Sequence, residues 1–186
     1  VGPYVDTRKG CPTCSRRNFR FDRVIRLGVY EDSLRTACIR GKSRGAEALA
    51  GAVASLLWME QREALSDFAP DIIVPVPQFW LHWFIRPHHQ ALTMAEVLGE
   101  RLNCPCDERA VRKTRRTTDQ SSLPRAERLT NLKQAYAVRP SHNLRGQRVL
   151  IVDDILTTGT TSNELAKVLR KAGASDVAVA VIAVVL

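Results

Sequence analysis

The chain has few aromatic residues, only 6% Phe, Trp and Tyr, and few acids for its bases: 28 Lys and Arg against 19 Asp and Glu. It also lacks a long apolar run. The longest, 177–186, is far short of the roughly 20 residues that cross a bilayer as a helix, and it reads as a buried strand. No charged-then-apolar leader opens the sequence, so no secretory signal is expected. Five cysteines in 186 residues do not make a disulfide framework. Together these shortages exclude a membrane span and a disulfide-stapled secreted module, and the expected compartment is the reducing cytoplasm. Internal repeats and low-complexity tracts are lacking too. What remains is one well-sized core, with an ordinary apolar fraction of 45%. The chain opens on Val1 rather than Met, which reads as a fragment with residues missing upstream.

The richest stretch is Val149-Leu150-Ile151-Val152-Asp153-Asp154, followed by Ile155-Leu156-Thr157-Thr158-Gly159-Thr160-Thr161. Four apolar residues without polar alternation fit a strand buried on both faces of a parallel sheet. Two carboxylates and a Thr/Gly loop follow. Leu165, Val168, Leu169 and Ala172 then recur at helical spacing. Thr161 and Glu164 have the spacing of a capping box, which predicts a helix start at Thr161. Gly159 permits a backbone geometry that a Cβ resists. This order of parts suits a sugar phosphate. Carboxylates accept hydrogen bonds from vicinal ribose hydroxyls, and loop N–H groups, hydroxyls and the helix dipole favour a phosphate. In open α/β sheets, ligands bind beyond the carboxyl ends of the strands, where Asp153 and Asp154 fall. Successive strand residues point to opposite faces, so both acids are expected to reach one ligand only if the strand has broken by Asp154. The plainer alternative is a strand–turn–helix ending in solvated acids.

Alternating strands and helices run along the chain. Strands are predicted at Arg23–Tyr30, Ile72–Val76, Ala135–Val138, the motif, and from Asp176. Helices are predicted at Asp32–Arg40, Ala46–Leu65, Pro87–Leu102 and Arg125–Lys133, with a basic, polar loop over 113–124. The pattern points to an α/β fold with a mainly parallel sheet flanked by helices. Residues 1–22 read as a small cysteine-bearing segment ahead of the main domain, 23–186.

Two basic groups stand out. One spans Arg8 to Arg44 and includes Arg16, Arg17, Arg20 and Lys42; the other spans Arg109 to Arg128 and includes Arg115 and Arg116. The formal net charge of +9 favours polyanions, a diphosphate or nucleic acid, although a solvated surface accounts for the first group equally well. Scarce aromatics argue against a base-stacking platform. The first group is remote in sequence from 153–161, so it is expected to act apart from that loop. Cys11 and Cys14 form half of a tetrahedral zinc site, a redox pair, or two free thiols.

The 149–161 motif resembles the phosphoribosyl-diphosphate (PRPP) motif of type I phosphoribosyltransferases. Within that superfamily the chain is most similar to the competence-associated ComF family. That resemblance is carried by Cys11-Pro-Thr-Cys14, Phe21-Asp22, Val29-Tyr30, Leu34-Arg35, 71–77, Arg86 with Gln90, Gln120-Ser-Ser-Leu123, Arg125, Arg128, Asn131 and Ala135. It implies a phosphoribosyltransferase-like fold and displacement at C1 of PRPP, with diphosphate leaving. Asp153 and Asp154 are implied to hold the ribose hydroxyls, and Thr157, Thr158, Gly159, Thr160 and Thr161 the 5-phosphate. Val76 and Arg86 are implied beside the diphosphate, with Arg115 and Arg116 on a lid. Mg²⁺ is implied on the diphosphate oxygens. A further cysteine pair upstream is implied to complete a zinc site with Cys11 and Cys14. Implied partners are PRPP and single-stranded DNA or other competence proteins. One departure is Arg86-Pro87-His88-His89-Gln90, where ComF proteins often read Arg-Gly-aromatic-Asn-Gln; the proline fixes φ and removes a donor. His88 and His89 are expected to be surface or half-buried residues, because adjacent helical positions do not face one site.

Overall fold

The computed structural model describes residues 4–6, 18–77, 89–115, 132 and 134–185. Its strands are β1 (Tyr4–Asp6), β2 (Arg23–Val29), β3 (Ile72–Pro75), β4 (Val111–Lys113), β5 (Tyr136–Val138), β6 (Arg148–Leu156) and β7 (Asp176–Val184). Its helices are α1 (Asp32–Arg40), α2 (Glu47–Phe68), α3 (Gln90–Leu102) and α4 (Thr160–Lys171).

Five strands form one sheet in the order β1-β2-β7-β6-β3. β2, β7, β6 and β3 run parallel, and β1 lies antiparallel on the β2 edge. β7 is central and buried from Val177 to Val184, as an uninterrupted apolar strand between two helical layers should be. On one face, Val149, Ile151, Val177, Val179 and Val181 pack with Leu165, Ala166 and Leu169 of α4, and with Phe21 and Tyr136. On the other, Leu150, Val152, Ala178, Ala180 and Ile182 pack with Leu57, Leu65, Met94 and Leu98 of α2 and α3. Alternation of Val and Ala along β7 thus gives one bulky face and one thin face, and the thin face admits the longer helices.

The end of the 1–22 segment enters this core. Phe21 is 2% exposed. Asp22 donates its N–H to the Val177 carbonyl at 2.7 Å, accepts from Val177 N–H at 2.9 Å, and pairs with Arg170. Thus 20–22 run alongside the start of β7 before β2 begins.

Several boundaries differ from the sequence expectation, each for a local reason. α2 runs to Phe68, three residues past Leu65, because Phe68 is buried and Ala69 closes the helix in the left-handed region, φ 45°. β6 continues to Leu156 instead of ending at the acids. Its register with β7 holds from Arg148↔Asp176 to Leu156↔Val184. β1 and β4 were not expected: each is three residues long, and its hydrogen-bond partners lie far away in sequence. β4 takes Lys113 out of the expected 113–124 loop. The expected helix at Arg125–Lys133 lies outside the described residues except for Leu132, a buried turn residue. Among the described residues, no helix is long and apolar enough to cross a membrane.

Candidate ligand site at the carboxyl end of the sheet

β3 and β6 deliver their last residues side by side. Val76 N–H bonds the Val152 carbonyl at 2.9 Å, and the Val76 carbonyl lies 3.0 Å from His89 Nε2. Half-buried His89 thereby ties the start of α3 to the end of β3, in keeping with the expectation for that residue; His88 lies outside the described residues. Asp153 and Asp154 follow on β6, both half-buried.

The strand does not break at Asp154: β6 continues to Leu156, and the two acids meet through their side chains. Asp153 Oδ1 accepts the Asp154 N–H at 2.9 Å, and Asp154 Oδ1 accepts the Ile155 N–H at 2.9 Å. Each carboxylate is curled forward along the backbone, which brings the two into electrostatic contact despite the pleat. The consequence is a carboxyl on Asp153 held well above its ordinary range, first by burial and then by the neighbouring Asp154 charge. Lys42, from the turn after α1, opposes this: its ammonium lies 2.5 Å from Asp154 Oδ2. Buried Tyr136 on β5 feels one of these acids, Asp153. Burial, then Asp153 and Glu164, push its phenol up. Cys38 of α1 lies against the Asp154 carbonyl, and burial, then Asp154, push its thiol up to about 12.

The Thr/Gly loop turns directly from β6 into α4. Gly159 is the residue before the helix and sits at φ 72°, the left-handed region that favours glycine. α4 begins at Thr160, one residue earlier than expected, and no side chain caps it. Glu164, the expected capping-box partner, pairs with Lys167 instead. Thr158 Oγ1 and Thr160 Oγ1 bond each other at 2.8 Å. Thr160 N–H lies 3.5 Å from Thr158 Oγ1, a long contact, and the helix start behind it presents the positive end of its dipole to an anion. Ser162 Oγ is also buried there without a hydrogen-bond partner.

This is the sequence of parts that carries the family comparison. Residues 84–185, more than half of the chain, match the family described as phosphoribosyl transferase domain. Competence protein F of Haemophilus influenzae is 30% identical over 91% of this chain and 76% of its own. DNA utilization protein YhgH of Escherichia coli is 30% identical over 95% of this chain and 78% of its own. The chain belongs to the ComF family. A purine phosphoribosyltransferase from Pyrococcus horikoshii aligns over 86% of this chain and 77% of its own, at 20% identity and a TM-score of 0.42.

In this ComF-family chain the N-terminal segment is part of the site's wall. A Cβ at Gly159 would stand 2.9 Å from Phe19 Cε1, so the Phe19 ring lies against the loop. Phe19 stacks on Phe21 with centroids 4.7 Å apart. Arg20 donates its N–H to Asn163 Oδ1 of α4 at 2.8 Å. Arg20, a member of the first basic group, thus lies beside α4 through its backbone: distance in sequence is not distance in the fold.

Of the residues named from sequence, Asp153, Asp154, Thr157, Thr158, Gly159, Thr160, Thr161 and Val76 gather at the carboxyl ends of β3 and β6. Arg115 lies just past β4, exposed, where Thr114 N–H bonds the Ala135 carbonyl at 2.8 Å and joins the β4 and β5 ends. Arg86, Arg116, Cys11 and Cys14 lie outside the described residues. Among the described residues, no group of three or more His, Cys, Asp and Glu is placed to hold a metal ion. Cys38, Cys104 and Cys106 are free thiols. Sequence reasoning missed Lys42, Phe19 and Tyr136. Lys42 was read only as one of many bases, and no local pattern marks a residue whose partner lies more than a hundred positions away.

Proposed function

We propose that this protein binds PRPP at the end of β6 and transfers its ribose 5-phosphate to an acceptor, with release of diphosphate. The observation that carries the reading is the junction of β6 and α4: two half-buried acids, then an uncapped helix start behind a glycine turn. Asp153 and Asp154 would accept hydrogen bonds from the 2- and 3-hydroxyls. Thr157 to Thr161 would hold the 5-phosphate through loop N–H groups and hydroxyls. The C1–oxygen bond to diphosphate breaks, and a bond from C1 to the acceptor forms through an oxocarbenium-like state. The chain's part is positioning and electrostatic stabilisation. Buried Ser162 Oγ, left unpartnered beside the helix start, fits a phosphate-bearing ligand there. Mg²⁺ would come with the diphosphate and neutralise its charge. Val76 at the end of β3, with Arg86, Arg115 and Arg116, would face that diphosphate.

Titration calorimetry with PRPP and Mg²⁺ tests the reading. Replacing both Asp153 and Asp154 by Asn keeps the shape and removes the anionic acceptors. Affinity should fall roughly tenfold or more, from lost charge-assisted hydrogen bonds. Unchanged affinity refutes the assignment, and a screen for diphosphate release then separates binding from transfer.

A second reading is a PRPP-fold protein that handles single-stranded DNA during uptake and does little catalysis. The net charge of +9 supports it, as do the words competence and DNA utilization in the relatives' names. Such binding should weaken steeply with added salt, because phosphate neutralisation releases counterions. Arg16→Ser with Arg17→Ser should flatten that salt slope. No binding to single-stranded DNA at about 50 mM salt removes this reading. For Cys11 and Cys14 we propose one zinc ion, completed by a cysteine pair further upstream; metal analysis of the longer protein checks it.

A further inference from the structure

α1 is short and polar on most of its surface, yet its end is built into the site. Gly41 N–H bonds the Ala37 carbonyl at 2.8 Å, Lys42 N–H the Ile39 carbonyl at 3.3 Å, and Ser43 N–H the Arg40 carbonyl at 3.0 Å. This tight turn is wedged against α3. A Cβ at Gly41 would stand 2.1 Å from Nε2 of the buried Gln90, so any larger residue would have to displace that amide. The wedge aims the next residue, Lys42, at the carboxyl end of β6. Its ammonium reaches Asp154 Oδ2 at 2.5 Å, while Asp154 Oδ1 is taken by the Ile155 N–H. The Asp154 side chain is only 16% exposed, so this is not a pair of surface charges that happen to meet. Cys38, one turn earlier, touches the Asp154 carbonyl. α1 and the turn that follows it therefore each engage Asp154 once.

We propose that Lys42 is a positioning residue for the acid pair: its ammonium holds the Asp154 carboxylate in place and offsets the negative charge that Asp153 and Asp154 share. The consequence for a ligand rests on the PRPP reading, but the ion pair itself does not. Among the described residues, the other groups facing the acids are Cys38 from α1 and Tyr136 from β5, with Glu164 from α4 acting on Tyr136. A thiol and a phenol are neutral or negative, never positive, so neither can supply a counter-charge to the acids. Without Lys42 the pair keeps a proton to higher pH, and a shared proton costs the ribose one anionic acceptor.

The test compares wild type, Lys42→Met and Lys42→Arg. PRPP–Mg²⁺ affinity is measured by calorimetry at a series of pH values spanning the range over which the Asp153 resonance titrates. The side-chain ¹³C resonances of Asp153 and Asp154 are titrated without ligand. Lys42→Met should bind roughly tenfold more weakly at the acid end of that range, about one pH unit of displacement. The deficit should shrink at the alkaline end, and Lys42→Arg should restore most of the binding. Asp153 should titrate at higher pH in Lys42→Met than in wild type. A deficit equal at every pH and not rescued by Arg marks a merely structural lysine and overturns the proposal. So does an Asp153 titration unmoved in Lys42→Met. Wild-type protein that binds no PRPP removes the ligand reading, and the ligand-free titration still decides the role of Lys42.

Discussion

Asp153→Asn should make the protein more stable and bind PRPP less well. The Asp153 carboxyl is held above its ordinary value of 3.8 by burial and by the Asp154 charge. Its folded-state affinity for a proton therefore exceeds its unfolded-state affinity. The stability it contributes is complete below the unfolded value and is lost as pH rises through the folded one. Above the ordinary carboxylate range, ionisation of Asp153 is favoured in the unfolded chain and opposed by the fold. Asn keeps the shape, and its Oδ1 can still accept the Asp154 N–H, now at 2.9 Å. What disappears is the cost of burying the Asp153 charge, and with it the like-charge repulsion from Asp154. Lys42 cancels much of it, and water reaches the half-exposed edge. A net gain of about 1 kcal/mol remains, or about 2–4 °C in Tm for a chain of this size. Scanning calorimetry from about pH 4 to pH 8 reads it. The gap should be small at the acid end and widen as pH rises. A variant no more stable than wild type at pH 8, or a gap that narrows with rising pH, refutes the reasoning.

Two further outcomes follow from the geometry. Gly159→Ala adds a Cβ at φ 72° and 2.9 Å from Phe19 Cε1, so urea unfolding should show a loss of about 1–3 kcal/mol, with weaker phosphate binding. Burial pushes the Cys38, Cys104 and Cys106 thiols up to about 12, 11 and 12; mass spectrometry of native protein treated with iodoacetamide at neutral pH should find all three largely unmodified, with labelling complete in denaturant.

Much of the fold was legible because its signals are local. The unbroken apolar runs at 149–152 and 177–184 can only be strands buried on both faces, and the 3.6-residue period after Thr161 can only pack one way. The loop between them was legible as chemistry, since acids, threonines and one glycine in that order have few other uses. The capping box misled because its spacing is a weak local preference. Gly159 in the left-handed region starts α4 a residue sooner and leaves Glu164 to Lys167.

The sequence by itself determined the alternation of strands and helices, the place of the acid pair at a strand's carboxyl end, and the glycine that turns the chain into α4. All three follow from periodicity and backbone sterics within a dozen residues. Only the tertiary structure decided which distant groups complete the site. Lys42 meets Asp154 because Gly41 lets α1 close on Gln90, and Phe19 meets Gly159 because Phe21 is buried under α4. β1 and β4 exist only through the partners that packing brings to them. Long-range contacts of this kind are set by burial and by hydrogen bonds across the whole chain, and no stretch of sequence taken alone contains them.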